Sequence, residues 1–280
     1  MNFIALDESI KAWLNEDVGE GDLTTEALIP AGAVTTGIIH AKASGVLCGV
    51  DIAREVFRVL DPGLTFTAKL QDGAKVENKS IIAEVSGNAR SILTGERLAL
   101  NLLQHMSGIA THTANLMALI RDTGAYVVDT RKTIPGLRML EKYAVTVGGG
   151  KNHRLGLYDA ILIKDNHIEV AGSITEALRR AKAHVGHMTK VEIEVEDMDQ
   201  CKEALAAGAD VIMLDNMSPA HMKECVQYIN HRAKVEASGG IDETTLRAAA
   251  ESGVDVVSIG ALTHTIKALD ISMDIGKIKG

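Results

Sequence analysis

Residues 190–215 read KVEIEVEDMDQCKEALAAGADVIMLD. KVEIEVE (190–196) alternates β-branched apolar residues with glutamates, a strand pattern. MDQCKEALAAG (198–208) is built of helix formers and closes on Gly208, as helix C-termini often do. ADVIMLD (209–215) is a second short apolar run. Strand, helix and strand in this order predict a βαβ unit, whose two strands are parallel because the crossover is long.

The same rhythm continues on both sides. Upstream stand AYVVDT (125–130) and DAILIKD (159–165), and downstream KVEASGG (234–240) and VDVVSIG (254–260). Between the strands lie helical segments: ITEALRRAKAH (174–184), SPAHMKECVQYINHRA (218–233) and DETTLRAAAESG (242–253). Ser218 is placed as an N-cap with Pro219 at the first helical position. Repeated β-α units with nearly unbroken apolar strands demand a parallel sheet covered by helices. Six strands fit a closed or nearly closed β/α barrel. The rival is an open doubly wound sheet, and no GxGxxG follows the first strand to support a dinucleotide-binding version. Residues 35–87 have another texture, strand-like and rich in glycine: TTGIIHAKASGVLCGV, LTFTAKL and SIIAEVSG. Helical stretches flank them, so this half reads as an α+β unit.

The 280 residues carry 29 Lys+Arg against 37 Asp+Glu, a net charge of −8. That balance speaks against a general nucleic-acid binder. No apolar run approaches the length of a membrane span, and the acidic N-terminus is unlike a signal peptide. Cys48, Cys201 and Cys225 form no CxxC pair, which fits a reducing, cytoplasmic setting. His184 and His187 read as a loop rather than a zinc site.

Polar residues end the strands. AYVVDT runs into Arg131 and Lys132, AILI into Lys164, VIML into Asp215, KVEA into Ser238, Gly239 and Gly240, and VVSI into Gly260. In a β/α barrel these C-terminal ends build the active site. Glu192, Glu194 and Glu196 share one strand face. Glu192 reads as an ion-paired barrel layer, Glu194 as a ligand-binding group, and Glu196 falls at the loop. SGGI and SIGA, on consecutive final strands, read as backbone cradles for a phosphate. Residues 131–167 hold seven Lys/Arg against three Asp/Glu, +4 in a chain of −8. Such a cluster suits a multiply anionic small molecule, with Arg138, Lys142 and Lys151 as solvated charges.

The stretch DTRKTIPGLRMLEKYAVTVGGGKNHRLGLYDAILIKDNH (129–167) resembles the signature segment of the quinolinate phosphoribosyltransferase family, the carboxylating nicotinate-nucleotide pyrophosphorylases. EDVGEGDLTT, GERLALNLLQHMSGIAT, EIEVE, IMLDN, EASGGI and DVVSIGALTH are similar to the family in the same order. The resemblance implies an α/β fold: an N-terminal α/β sandwich (residues 1–110, with 270–280 packing on it) and an incomplete, six- to seven-stranded TIM-like barrel (111–269). It implies transfer from phosphoribosyl pyrophosphate (PRPP) to quinolinate with decarboxylation, giving nicotinate mononucleotide, pyrophosphate and carbon dioxide in NAD biosynthesis. It implies Mg2+ as cofactor, held directly or indirectly by Glu194 and Asp215, and a homodimer with shared active sites, or a hexamer. Arg131, His153, Arg154 and Lys164 would bind the quinolinate carboxylates, completed by Arg97 of the partner subunit. Lys132 would contact the donor near its pyrophosphate, with Thr130 also binding substrate. Lys132, Lys164, Glu194 and Asp215 would be catalytic. Backbone at Ser238, Gly239, Gly240, Gly260 and Ala261 would bind the 5′-phosphate. A paralogue of like fold acting on another aromatic acid remains the alternative. A non-catalytic barrel is disfavoured because Glu194 and Asp215 are both kept.

Overall fold

In the computed structural model of the chain, residues 3–278 are described. They fall into two compact units: residues up to 112 with 135–148 and 265 onward, and residues 113–134 with 149–264.

The first unit opens with helices α1 (Phe3–Val18) and α2 (Leu23–Leu28). The Asp22 carboxylate caps α2, accepting from Thr25 N–H at 3.0 Å. Strands β1 (Val34–Ala41) and β2 (Gly45–Val46), helix α3 (Val50–Leu60), and strands β3 (Thr65–Ala68), β4 (Lys75–Val76) and β5 (Ile81–Asn88) follow. Helix α4 (Ala89–Ile120) comes next. β1 pairs antiparallel with β5 and with the chain's last strand, Ile271–Ile275. The reading of residues 35–87 as strands passes over α3. Its apolar residues Val50, Ile52, Ala53, Val56 and Phe57 are buried, so helical periodicity wins over the strand-like run that precedes it.

The second unit carries β6 (Tyr126–Val128). The chain then passes through helix α5 (Arg138–Val147), which belongs to the first unit. It returns with β7 (Ile161–Ile163), α6 (Asp165–Ala171), α7 (Ile174–His184), β8 (Val191–Val195), α8 (Met198–Ala206) and β9 (Val211–Asp215). The last elements are α9 (Pro219–Ile229), β10 (Lys234–Ser238), α10 (Leu246–Glu251), β11 (Val256–Ser258) and α11 (Ala261–His264). Side chains of Ser173, Asp197 and Ser218 cap α7, α8 and α9. Each such cap is worth about 0.5–2 kcal/mol.

The six strands are all parallel, in the order β6-β11-β10-β9-β8-β7. Sequential strands are neighbours from β7 to β11, and the first strand pairs with the last. That cyclic order belongs to a barrel; a doubly wound sheet would instead reverse direction around its first strand. The ring is left open between β6 and β7, where Lys151 makes a lone parallel bridge to Val128. The α/β architecture with an incomplete, six-stranded barrel is therefore the one the sequence predicts. Burial along the strands is nearly continuous, as in β8 and β10, because helices cover one face and the barrel interior the other.

The segment 131–167 does not act as a single basic cluster. Arg138 and Lys142, on α5, group with the first unit although they lie beyond residue 110. Lys142, expected as a solvated charge, is 1% exposed. Its neighbour Glu141 is fully buried and lies 2.9 Å from His105 Nε2. Among the described residues no helix is long and apolar enough to cross a membrane.

Candidate active site

The C-terminal strand ends of the second unit surround a cavity of about 810 Å³. Every expected site residue lines it except Arg97: Thr130, Arg131, Lys132, His153, Arg154, Lys164, Glu194, Asp215, Ser238, Gly239, Gly240, Gly260 and Ala261. Arg97 lies on α4 in the first unit. Its side chain is 59% exposed, and Glu96 is 3.9 Å away.

Just past β6 stands buried Asp129, whose carboxylate organises the open side of the barrel. It accepts from Asn152 Nδ2 at 2.5 Å and from His153 N–H at 2.9 Å. The chain at 152–154 is thereby held beside β6, just past the Lys151 bridge. The turn after Asp129 is pinned twice: Thr130 Oγ1 accepts from Lys132 N–H at 3.0 Å, and Thr263 Oγ1 donates to Lys132 O at 2.8 Å. The Arg131 and Lys132 side chains remain exposed. Arg154 Nη1 donates to Ala160 O at 3.2 Å. Burial and the nearby positive Arg131 push the Arg154 guanidinium below its usual pKa. Two cations that destabilise one another in this way are relieved by an anion bound between them.

On the other side Lys164 Nζ meets Glu194 Oε1 at 2.5 Å. Asp215 Oδ2 accepts from Asn216 Nδ2 at 2.8 Å. Asn216 N–H in turn donates to Ser238 O at 3.0 Å, drawing the ends of β9 and β10 together. The approach requires glycine at 239. Its φ is +94°, and a Cβ there would sit 2.2 Å from Asn216 Oδ1. Glu196 lies beyond the end of β8, as expected.

Behind the cations lies a buried acidic layer. Glu192, on β8, is 7% exposed and Glu236, on β10, is 3% exposed. Alternate strands of a barrel contribute to the same interior layer, and His153 enters that layer from the loop at the gap. Its Nε2 stands 2.9 Å from Glu192 Oε2 and 3.7 Å from Glu236 Oε1. The expectation that Glu192 is a paired interior residue agrees with this. Desolvation, then the neighbouring Glu192 charge, pushes the Glu236 carboxyl up to about 8. Glu192 Oε1 and Glu236 Oε1 are buried without a hydrogen-bond partner.

His153, Glu192 and Glu236 each offer one ligand atom within 4.8 Å of the others. The histidine argues against a metal there. Its Nδ1 accepts from Arg154 N–H at 2.8 Å, which leaves the ring hydrogen on Nε2, the nitrogen facing the carboxylates. Glu194 and Asp215, hard oxygen donors on adjacent strands that open to the cavity, fit a magnesium ion better.

Glu236 and Asp129 escaped the sequence reading. A signal for the first was present: Lys-Val-Glu occurs at 190–192 and again at 234–236, at the start of two alternate strands. Asn216, a strand-end residue beside Asp215, also lines the cavity, and Asp242 and His264 do so unanticipated.

Models of two domains of the quinolinate phosphoribosyl transferase family match the chain, the N-terminal domain over residues 22–107 and the C-terminal domain over 109–274. A Bacillus subtilis protein named as a probable carboxylating nicotinate-nucleotide pyrophosphorylase is 45% identical, covering 98% of this chain and 95% of its own. The carboxylating nicotinate-nucleotide pyrophosphorylase of Mycobacterium leprae is 43% identical, covering 98% of each. The crystal structure of NadC from Streptococcus pyogenes superposes with a TM-score of 0.95 at 42% identity, over 100% of this chain and 99% of that one. The human nicotinic acid phosphoribosyltransferase, at 14% identity and a TM-score of 0.61, shares the fold. With both domain models matched in order and relatives above 40% identity along nearly its full length, the chain belongs to the quinolinate phosphoribosyltransferase family.

Proposed function

We propose that the protein transfers the phosphoribosyl group of PRPP to quinolinate and decarboxylates the adduct, giving nicotinate mononucleotide, pyrophosphate and carbon dioxide for NAD biosynthesis. The observation that carries this is the gathering of Arg131, Lys132, Arg154 and Lys164 around one cavity that also holds Glu194, Asp215 and two glycine turns. A dicarboxylate, a diphosphate and a ribose need such a set of partners.

Arg131, Arg154 and Lys164 hold the two carboxylates of quinolinate, with His153 in the wall beside them. Lys132 lies by the leaving pyrophosphate. Glu194 and Asp215 take the ribose hydroxyls or magnesium, and the turns at Ser238–Gly240 and Gly260–Ala261 take the 5′-phosphate. Bound magnesium would supply charge neutralisation on the pyrophosphate. The bond from ribose C1 to the pyrophosphate oxygen breaks with its electron pair leaving on pyrophosphate, and the pyridine nitrogen forms the new bond to C1. No protein nucleophile is required. The cationic ring then accepts the electron pair left at C2 when carbon dioxide departs, and C2 is protonated.

Arg97 of the partner subunit completes the carboxylate cage in a homodimer. Its exposed side chain and the long approach to Glu96 leave it available. The three cysteines are free and buried, which fits the cytoplasm.

Purified protein should release carbon dioxide and pyrophosphate only when quinolinate and PRPP are both present. Absence of product with that pair would refute the reading. Mixing Arg97→Ala with inactive Lys164→Ala chains should restore activity in heterodimers, and no recovery would place Arg97 within its own subunit.

A further inference from the structure

Two carboxylates face the cavity from adjacent strands, and they are held differently. Glu194 is met by Lys164 Nζ at 2.5 Å. Asp215 has a single hydrogen-bond donor among the described residues, the side-chain amide of the next residue, Asn216, whose Nδ2 stands 2.8 Å from Asp215 Oδ2. Neighbouring side chains on an extended strand point to opposite faces, so this contact requires the chain to turn. Asn216 supplies the turn: its φ is +54°, in the left-handed region that asparagine enters more readily than most residues. Its N–H donates to Ser238 O at 3.0 Å, which ties the turn to the end of β10. Its carboxamide oxygen lies against Gly239, where any Cβ would overlap it. The amide is thereby seated between the Asp215 carboxylate and the glycine turn, and all three residues line the cavity. A carboxylate only accepts, so the NH2 half of the amide is the half that faces Asp215. Backbone held in a sparsely used region clusters at functional sites.

We propose that Asn216 is a positioning residue for the phosphoribosyl donor: its Nδ2–H occupies one oxygen of Asp215 and aims the other at the ribose hydroxyls. The inference rests on the reading of Asp215 as a donor-binding group.

Two substitutions keep the turn and change only the amide. Asn216→Gly accepts the positive φ and retains the N–H bond to Ser238, but has no side chain. Asn216→Asp retains the size and replaces the donor with a second carboxylate. Calorimetric titration with PRPP and magnesium, without quinolinate, should show the Kd raised about tenfold in the Gly variant, the scale of one lost hydrogen bond to a charged group. The Asp variant should lose more, because like charges then meet at Asp215. In steady-state kinetics the KM for quinolinate at saturating PRPP should stay within about twofold of wild type in both, since no contact to that substrate is removed. A merely structural Asn216 would instead lower the melting temperature and weaken both substrates together, which overturns the proposal. A Gly variant that binds PRPP as tightly as wild type overturns it too, as does an Asp variant that binds more tightly than the Gly variant. Should one variant fail to fold, the other against wild type decides by the same Kd. Wild-type protein that bound no PRPP would strike the functional reading and this inference together, whereas equal Kd values in a wild type that does bind it strike the inference alone.

Discussion

The two ends of the same barrel strands use charge in opposite ways. At the N-terminal end one device occurs twice. Asp210 receives Lys190 Nζ at 3.0 Å on one oxygen and Val191 N–H at 3.0 Å on the other. Asp255 receives Lys234 Nζ at 2.7 Å and Val235 N–H at 2.9 Å in the same manner. Each carboxylate there ties a lysine to the first amides of a strand and cancels its charge. At the C-terminal end, among the described residues, Arg131 and Lys132 have no ion-pair partner, and Arg154 bonds a carbonyl rather than a carboxylate. Cations left facing a cavity cost desolvation and mutual repulsion. Lys164 alone among the four basic side chains at that end meets a carboxylate, that of Glu194; a fold that cancels charge at one end and leaves the other three cations uncancelled has reserved the second end for an anion.

The largest effect should come from breaking the C-terminal end. Lys132→Ala removes an ammonium while Thr130 and Thr263 still hold the local backbone. Arg154→Ala removes a guanidinium whose amide remains bonded to His153. Each should lower kcat/KM by about 10²–10³-fold, as loss of one preorganised electrostatic group commonly does. The melting temperature should move little in either. Steady-state kinetics beside thermal melts test this. A collapse in stability with activity retained would erase the contrast between the two ends.

Glu236 probes the same end through stability. Its carboxyl is raised from 4.5 in the unfolded chain to about 8 in the folded one. The fold therefore favours the protonated form. The stabilisation this provides is complete below 4.5 and is lost as pH rises through 8. Wild-type protein should lose melting temperature between pH 4.5 and pH 8 more steeply than Glu236→Gln, which has nothing to ionise. The two should melt nearly alike near pH 4.5 and differ by about 2–4 °C or more at pH 9, on the scale of 1 kcal/mol in a domain of this size. Parallel profiles would mean that Glu236 is not held neutral by its surroundings.

The barrel strands were legible because helices on one side and a filled interior on the other demand unbroken apolar runs. The strand-end residues were legible because charges such as Arg131 and Asp215 directly terminate those runs. Two things were not. Lys142 and Arg138 sit in the same basic stretch as Arg154, and nothing in a linear charge count assigns α5 to the other unit. The His153 network depends on which neighbour reaches each ring nitrogen, a property of the folded chain. The repeated Lys-Val-Glu could have flagged Glu236, since equivalent residues on alternate strands meet inside a barrel.

The smallest effects belong to the N-terminal end, where they dissect the repeated device. The Lys190 side chain is 73% exposed and that of Asp210 30% exposed. Such a pair contributes about 0–1 kcal/mol after solvent screening. Lys190→Met should thus change the unfolding free energy by no more than about 0.5 kcal/mol. Asp210→Ala also strips the acceptor from Val191 N–H, a half-buried bond at the mouth of β8, and should cost about 1–2 kcal/mol. Asp210→Asn retains an oxygen for that amide and should resemble Lys190→Met. None of the three should alter the KM for quinolinate or PRPP. Urea unfolding ranks them: an Asn variant as unstable as the Ala variant would credit the ion pair, whereas the expected order credits the backbone bond. A shift in KM from any of them would show that the two ends of the strands are coupled, and that the division of labour between cancelled and uncancelled charge does not hold.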